Sequence, residues 1–196
     1  AAITGSASDD VVEDGDLLAS GTLTATDPDA GESGFVAAAA DGAHGSFTID
    51  ADGNWNYSLD NSSADVQALS EGETVDEIFT VTTNGNETRD ITVTITGTND
   101  APVITGSAAT DDFAVTEDTD LTASGQLNIT DADAGEGVFT AQTDAPGTYG
   151  SFSVDADGTW NYTADNAKIQ SLGEGVEATD TFHVAKDDGT TTPITV

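Results

Sequence analysis

The sequence predicts an all-β protein made of two tandem antiparallel β-sandwich domains, each with roughly seven strands and a short helical turn. Two observations predict this fold: short runs in which apolar and polar residues alternate, and one long internal repeat. Phe47 and Ile49 alternate with polar neighbours, and Trp55, Tyr57 and Leu59 do the same. Alternation of this kind places the apolar side chains on one face of a strand.

Turn signals separate these runs. Dipeptides that favour tight hairpins, because both residues tolerate positive φ, stand at Asp52-Gly53, Asn84-Gly85, Asp157-Gly158 and Asp188-Gly189. One segment differs, since Val66 and Leu69 have the i, i+3 spacing of a helical turn and predict one or two such turns within residues 62–69. Strands this irregular could also form a barrel, but a sandwich fits the spacing of the turns better.

The chain repeats itself at an offset of 104 or 105 residues. Glu13-Asp14 recurs as Glu117-Asp118, and the segment from Asp50 to Trp55 recurs as Asp155 to Trp160. This period is too long for a solenoid, whose repeats run about 20 to 50 residues, so each copy should be a self-standing domain. We expect a first domain at residues 1–98, a linker at 99–102, and a second domain at 103–196 whose last strand is clipped relative to the first.

The charge balance narrows the possible partners. The chain has 37 Asp and Glu residues against 3 Lys and Arg, a formal net charge of −34, and such a surface repels nucleic acid and anionic lipid. Without cysteine it has neither disulfides nor thiolate metal sites, and no run of about 18 apolar residues predicts membrane insertion. Disorder is disfavoured because apolar residues make up 36% and alternate regularly. The acidic surface should attract cations, or else it is only solvated, as in halophilic proteins.

Acidic and amide side chains fall into four kinds of cluster, three of which occur twice. Calcium takes six to eight oxygen ligands, and these residue types supply them. Three kinds are candidate ligands: Glu13 and Asp14 with their copies Glu117 and Asp118, Asp27 and Asp29 with their copies Asp131 and Asp133, and Asn99 and Asp100 before Pro102.

The fourth kind of cluster is better explained as a turn. Asp50-x-Asp52-Gly53 and Asp155-x-Asp157-Gly158 have Gly directly after the second Asp, as a hairpin requires. No distant Glu completes an EF-hand loop after either one.

These motifs together resemble the VCBS-type repeat found in the long repetitive regions of bacterial RTX adhesins. The resemblance rests on Glu-Asp, Leu-Thr-Ala-Thr-Asp-Pro-Asp-Ala-Gly-Glu, Gly-Ser-Phe, Asp-Gly-x-Trp-x-Tyr and Asn-Asp-Ala-Pro, and it covers nearly the whole chain. It implies a cadherin-like or immunoglobulin-like sandwich, type I secretion to the cell surface, and Ca²⁺ at the junctions between repeats. The implied role is a calcium-stiffened extender, monomeric in solution, that projects a distal ligand-binding domain for attachment or biofilm formation.

The same resemblance implies how the calcium ligands are shared among repeats. Glu13 and Asp14 would meet Asn99 and Asp100, and Asp131 and Asp133 would complete that cage. Asp27 and Asp29 would serve an upstream junction, and Glu117 and Asp118 a downstream one. Adjacent repeats of the same chain are therefore the expected partners. The chain lacks the Asp-Arg-Glu triplet of cadherins.

Three other functions compete with the extender. Paired carboxylates could serve a glycosidase, but an active site duplicated in turn motifs is implausible, and His44 and His183 do not occupy equivalent positions. The chain is therefore predicted not to be an enzyme. Direct binding of a carbohydrate or another cell surface by the repeats stays open as the main alternative. Homotypic adhesion also stays open, although two surfaces this acidic would need bridging cations.

Overall fold

The computed structural model describes residues 1–29, 31–107 and 113–196, and it confirms the predicted fold class. The chain divides into two compact units, Ala1–Asp100 and Ala101–Val196. Each unit holds β-sheets and one four-residue helix, and in the described part of the chain no helix is long and apolar enough to cross a membrane.

The first unit contains eight strands and helix α1 in two sheets. A five-stranded sheet has the order β1-β3-β6-β5-β4, and a three-stranded sheet has the order β2-β8-β7. All pairs are antiparallel except β2 with β8, which run parallel. The bounds are β1 Ala2–Gly5, β2 Ser8–Val12, β3 Leu18–Thr26, β4 Ala38–Asp41, β5 Gly45–Ile49, β6 Asn54–Leu59, α1 Ala64–Gln67, β7 Thr74–Thr82 and β8 Thr88–Thr96.

The second unit repeats the five-stranded sheet but has a smaller second sheet. The larger sheet has the order β11-β12-β13-β10-β9, and β14 pairs with β15 alone in the described residues. The bounds are β9 Val103–Ser107, β10 Thr122–Thr130, β11 Gln142–Pro146, β12 Gly150–Val154, β13 Thr159–Ala164, α2 Asn166–Ile169, β14 Thr181–Ala185 and β15 Thr191–Thr195.

Each core lies between its two sheets and is centred on one tryptophan. Trp55 and Trp160 are both 0% exposed and lie on the buried face of their strands. In the first unit the rings of Phe47 and Phe79 stack at 4.5 Å, and in the second the equivalent rings of Phe152 and Phe182 stack at 4.8 Å. The alternating pattern of the sequence thus becomes a buried aromatic layer between the sheets.

The predicted hairpin turns form, with one change in detail. Gly53, Gly158 and Gly189 adopt positive φ of 86°, 85° and 78°. In the turn between β7 and β8, however, the positive φ of 65° belongs to Asn86 and not to Gly85. Asn is among the few non-glycine residues enriched in the left-handed region, and Asn86 occupies the position in this loop that Gly189 holds in the second unit.

The first strand of the first unit changes sheets at a glycine. β1 pairs with β3, and after Ser6 and Ala7 the chain enters β2 in the other sheet. Gly5 has a φ of 113°, and a Cβ atom there would lie 2.3 Å from the carbonyl oxygen of Thr22. No other residue fits this crossing without moving the backbone.

A buried carboxylate ties one turn of each unit to its core. In the first unit the hydroxyl of Tyr57 donates to Oε2 of Glu77 at 2.6 Å, while the His44 amide donates to Oε1 at 2.9 Å. Glu77 is 7% exposed. Burial, together with the hydrogen bond to Glu77, raises the pKa of Tyr57 well above its usual value. We call this arrangement the carboxylate clasp.

Candidate cation-binding carboxylate clusters

The first cluster lies in the loop that follows β3. Oxygens of Asp27, Asp29 and Glu32 lie within 4.8 Å of one another, and this is the one such acidic group found among the described residues. The Asp29 amide donates to Oδ1 of Asp27 at 2.9 Å, so the turn itself holds Asp27 in place. This turn uses only Oδ1 of Asp27, which leaves Oδ2 for other contacts.

That oxygen contacts a positive charge. Oδ2 of Asp27 lies 2.6 Å from the ammonium nitrogen of Ala1, and the same nitrogen lies 2.7 Å from Oε1 of Glu87. Hydrogen bonding to the ammonium, and secondarily to the Asp29 amide, lowers the pKa of Asp27. The same contacts, led by the bond to Asp27, raise the pKa of the ammonium to about 10.

The equivalent loop of the second unit has the same turn and a more enclosed carboxylate. The Asp133 amide donates to Oδ1 of Asp131 at 3.0 Å, and Asp133 is 2% exposed. Oδ2 of Asp131 is shielded from solvent and accepts no hydrogen bond from any described residue. Shielding a carboxylate oxygen that accepts no hydrogen bond costs folding free energy, unless a bound cation supplies the missing interaction. The carboxylates present therefore fit a hard cation such as Ca²⁺.

Glu13 and Asp14 occupy the turn after β2. Glu13 is 0% exposed, and its oxygens accept hydrogen bonds from Nε2 of Gln67 at 2.9 Å and from the amide of Thr98 at 3.1 Å. Asp14 has a φ of 53° and exchanges two hydrogen bonds with the side chain of Asn61, at 2.9 and 2.6 Å. The structure thus brings Glu13 next to the residue that precedes Asn99.

Glu117 and Asp118 form the corresponding turn of the second unit. Asp118 has a φ of 62° and exchanges hydrogen bonds with the side chain of Asn166 at 3.1 and 2.8 Å. Nε2 of Gln170 adds a further bond at 2.8 Å. The hydrogen bonds from Asn166, and then from Gln170, lower the pKa of Asp118. Glu117 is half-buried, in contrast to Glu13.

Asn99 and Asp100 end the first unit. Asn99 is exposed and its side-chain amide donates to the carbonyl of Asp100 at 2.8 Å, while Asp100 is half-buried. The Asp50 and Asp155 clusters close the β5–β6 and β12–β13 turns: the Asp50 carboxylate accepts from the amides of Asp52 and Asn54, and Gly158 donates to the Asp155 carbonyl at 2.9 Å.

Sequence reasoning missed the groups that surround these carboxylates. Glu32 joins the first cluster, and the amide side chains of Asn61, Gln67, Asn166 and Gln170 hold the two Glu-Asp turns. The Asn and Gln residues recur at matching places in the sequence of both repeats. Asn61 precedes α1 and Gln67 ends it, whereas Asn166 begins α2 and Gln170 directly follows it. That recurrence is the signal that could have found them.

The fold is that of tandem cadherin-like β-sandwiches. The structure resembles the protocadherin gammaB7 EC3-6 cis-dimer structure with a TM-score of 0.50 and 16% sequence identity, over 99% of this chain and 46% of that one. The human desmocollin-1 ectodomain gives a TM-score of 0.40 at 10% identity, over 96% of this chain and 34% of that one. A Ca²⁺-stabilized adhesin that helps an Antarctic bacterium reach out and bind ice gives a TM-score of 0.23 at 18% identity, over 98% of this chain and 46% of that one.

The family follows from the sequence match. The model of the bacterial cadherin-like domain matches the chain twice, at residues 1–97 and 99–196. The chain therefore belongs to the bacterial cadherin-like domain family, and it holds two copies of that domain. This confirms the cadherin-like resemblance predicted above. No curated protein matches the chain.

Proposed function

We propose that these two repeats are calcium-binding extender modules of a secreted bacterial surface adhesin. The family supports a structural rather than a catalytic role, because cadherin-like domains are sandwiches built in series. In this role the repeats hold a distal ligand-binding domain away from the cell for attachment or biofilm formation. Type I secretion and an extracellular location belong to the same proposal.

A single observation carries the calcium part of the proposal. Oδ2 of Asp131 is shielded from solvent and accepts no hydrogen bond from the described residues, and Asp133 beside it is 2% exposed. Ca²⁺ prefers an all-oxygen ligand set of this kind.

The other candidate ligands require a local exchange of partners. Glu13 and Asp118 each accept hydrogen bonds from amide donors, and a cation at these oxygens would displace at least one donor. The ligands we propose are the ten residues predicted from the sequence: Glu13, Asp14, Asp27, Asp29, Asn99, Asp100, Glu117, Asp118, Asp131 and Asp133. Glu32 is added to them because of its place in the first cluster.

Calcium would stabilise the repeats through binding linkage and charge neutralisation. The chain carries a net charge of −34, and clustered carboxylates repel one another without a counterion. Because only the folded state holds the cluster together, Ca²⁺ at about 100 times its Kd would add about 2.7 kcal/mol to the free energy of unfolding. Ions shared between neighbouring repeats, as the resemblance implies, would also limit bending at residues 99–102.

The test is a melting experiment in which each tryptophan reports on its own unit. Chains carrying Trp55→Phe report on the second unit through Trp160. We expect excess Ca²⁺ to raise the Tm of that unit by several degrees over chelator, and the double variant Asp131→Asn, Asp133→Asn to abolish most of the rise. The matched control is Glu174→Gln with Asp144→Asn, which removes the same charge from exposed positions of the same unit.

Equal melting in Ca²⁺ and chelator, or an equal rise in both double variants, would mean that the carboxylates are only a solvated acidic surface. The extender role has its own readout, the radius of gyration from small-angle scattering. It should change with Ca²⁺ in the parent chain and stay constant in the Asp131, Asp133 double variant.

A further inference from the structure

The larger sheet of each unit is almost free of charge. Charged residues make up 20% of the chain, yet β1, β3, β5 and β6 contain none, and neither do their equivalents β9, β10, β12 and β13. The edge strands β4 and β11 contain one acidic residue each, Asp41 and Asp144.

The smaller sheet of the first unit has the opposite character. Its three strands hold six charged residues, which are Asp9, Asp10, Asp76, Glu77, Arg89 and Asp90. Strands of this protein therefore tolerate charge. The lack of charge on the larger sheet is a property of that sheet and not of strands in general.

A row of hydroxyl and amide side chains crosses the outer face of the larger sheet. In the first unit Asn56 of β6 is exposed and pairs with Ser20 of β3 on one side and with Thr48 of β5 on the other. Asn56 lies between the buried Trp55 and Tyr57, so its side chain points away from the core. No described residue forms a hydrogen bond with the side chain of Asn56, which leaves its amide for an external partner.

The second unit repeats this central row. Asn161 of β13 is exposed and pairs with Ser124 of β10 and with Ser153 of β12. The rows beside it are also rich in hydroxyl and amide groups in both units. Their members are Leu18, Thr22, Ser46, Asn54 and Ser58 in the first unit and Thr122, Gln126, Ser151, Thr159 and Thr163 in the second. We call the central and flanking rows of each unit the hydroxyl-amide face.

The charges around the hydroxyl-amide face favour an uncharged partner. Charged residues are depleted from the centres of protein interfaces, where removing them from water is costly. The ends of the face in the first unit are acidic, with Asp50 and Asp52 before β6 and Asp60 directly after it. Acidic polymers are repelled by this rim. Two copies of the chain would bring two such rims together, so pairing between copies is disfavoured.

Neutral polysaccharides have the matching chemistry. Their hydroxyl groups donate and accept hydrogen bonds, as the side chains of Ser, Thr and Asn do. Neighbouring strands lie about 4.8 Å apart, which is close to the length of one sugar unit in an extended polysaccharide. A polysaccharide laid across the strands would therefore place successive sugars over Ser20, Asn56 and Thr48.

We propose that the hydroxyl-amide face of each unit binds uncharged, extended polysaccharides, with Asn56 and Asn161 as the central hydrogen-bonding residues. The rows of this face contain no aromatic side chain on which a sugar could stack, so binding to one unit is weak. Repeated units strengthen it because a second contact on the same polysaccharide is intramolecular. This binding requires neither the extender role nor calcium.

The test is affinity electrophoresis in native gels that contain a polysaccharide. Hydroxyethylcellulose and dextran are the neutral probes, and carboxymethylcellulose is an acidic probe with the same backbone as hydroxyethylcellulose. We expect the neutral gels to slow the chain relative to a non-binding reference protein, increasingly so at higher polysaccharide concentration. The acidic gel should leave the relative mobility unchanged. All gels contain chelator, so that the outcome does not depend on the calcium proposal.

Variants test whether the binding occurs on this face. Asn56→Asp with Asn161→Asp keeps the shape of both side chains, replaces a hydrogen-bond donor with a negative charge, and should weaken binding about tenfold. The matched control, Asn84→Asp with Asn86→Asp, adds the same charge at exposed positions of the turn between β7 and β8 and should bind like the parent chain. Circular dichroism checks that both double variants are folded.

Two results would overturn the proposal. If neither neutral gel slows the parent chain, or if the two double variants bind equally well, the face is not a polysaccharide site. Sedimentation equilibrium identifies the other occupant. If the parent chain dimerises, the Asn56, Asn161 variant stays monomeric and the neutral gels slow neither of them, the face binds a second copy of this chain instead.

Discussion

The two units build the same carboxylate clasp from different side chains. In the first, Glu77 accepts one backbone amide and the hydroxyl of Tyr57. In the second, the shorter Asp180 accepts the hydroxyl of Tyr162 at 2.9 Å, and the amides of Thr148 and Tyr149 each donate to it at 2.8 Å. The shorter carboxylate thus gains a second backbone bond from the turn.

The glycine beneath each clasp explains how both versions fit. A Cβ on Gly42 would lie 2.5 Å from Oε1 of Glu77, and a Cβ on Gly147 would lie 2.3 Å from Oδ2 of Asp180. In both units the turn approaches the carboxylate closely because it has no side chain there. In both units, then, a buried carboxylate within reach of a tyrosine holds the turn, and the turn accommodates either length of carboxylate side chain.

The largest effect should come from removing the tryptophans. Trp55→Ala and Trp160→Ala should each cost about 3–5 kcal/mol, since both side chains are fully buried. Trp55→Ala should lower the free energy of unfolding more than Trp160→Ala does. The indole of Trp55 also donates to the carbonyl of Ser6 at 2.8 Å, whereas Trp160 Nε1 makes no hydrogen bond to the described residues. Urea denaturation followed by circular dichroism measures both losses. Equal costs would show that this hydrogen bond adds nothing to the difference between the units.

A smaller effect should separate the two clasps. Tyr57→Phe should cost about 2 kcal/mol, because Oε2 of Glu77 then loses the donor that the structure places at 2.6 Å. Tyr162→Phe should cost about 1 kcal/mol, because Oδ2 of Asp180 keeps the Tyr149 amide. Thermal melts with the tryptophan of each unit as probe measure the two losses. A larger loss in the second unit would contradict the compensation argued above.

The smallest effect concerns acid sensitivity of the hairpin turns. Hydrogen bonds from the side chain and amide of Asn54 lower the pKa of Asp50. In the second unit the lowered pKa belongs to Asp157, which is bonded to Thr159. A carboxyl group whose pKa is lower in the folded state than in the unfolded state stabilises the fold at pH values above its unfolded-state pKa of about 4. That contribution is lost as the pH falls through the folded-state pKa.

Variants at the Asp whose pKa is lowered in each turn test this difference. Asp50→Ala should therefore lower the Tm of the first unit at pH 7. The difference in Tm between this variant and the parent chain should become smaller as the pH is lowered. Asp157→Ala should do the same in the second unit. Thermal melts between pH 7 and pH 2 measure both differences in Tm. A difference that grows as the pH is lowered would contradict the proposal that these carboxylates stabilise the fold in their ionised form.

Local periodicity was sufficient for the fold class, because alternation and turn residues act within a few positions. The repeat located the strands and both buried tryptophans. The parallel pairing of β2 with β8 was missed, since it joins residues more than 80 positions apart and no local pattern encodes it. The clasp was missed because Glu77 and Asp180 differ in type, although each lies two positions before a buried phenylalanine and so falls on the same face as that ring. The calcium ligands stay a prediction, since the sequence marks carboxylates but not which oxygens converge.

The parallel pairing in the first unit has a mechanical consequence. Five residues of β2, Ser8 to Val12, lie in register with Thr92 to Thr96 of β8, so the chain enters this ladder at one end and leaves it at the other. Tension applied along the polypeptide pulls the two strands in opposite directions along their length. The interstrand hydrogen bonds lie across that direction and are loaded in shear together. Such a ladder resists force as a unit, whereas a hairpin pulled open at one end would release its bonds one after another.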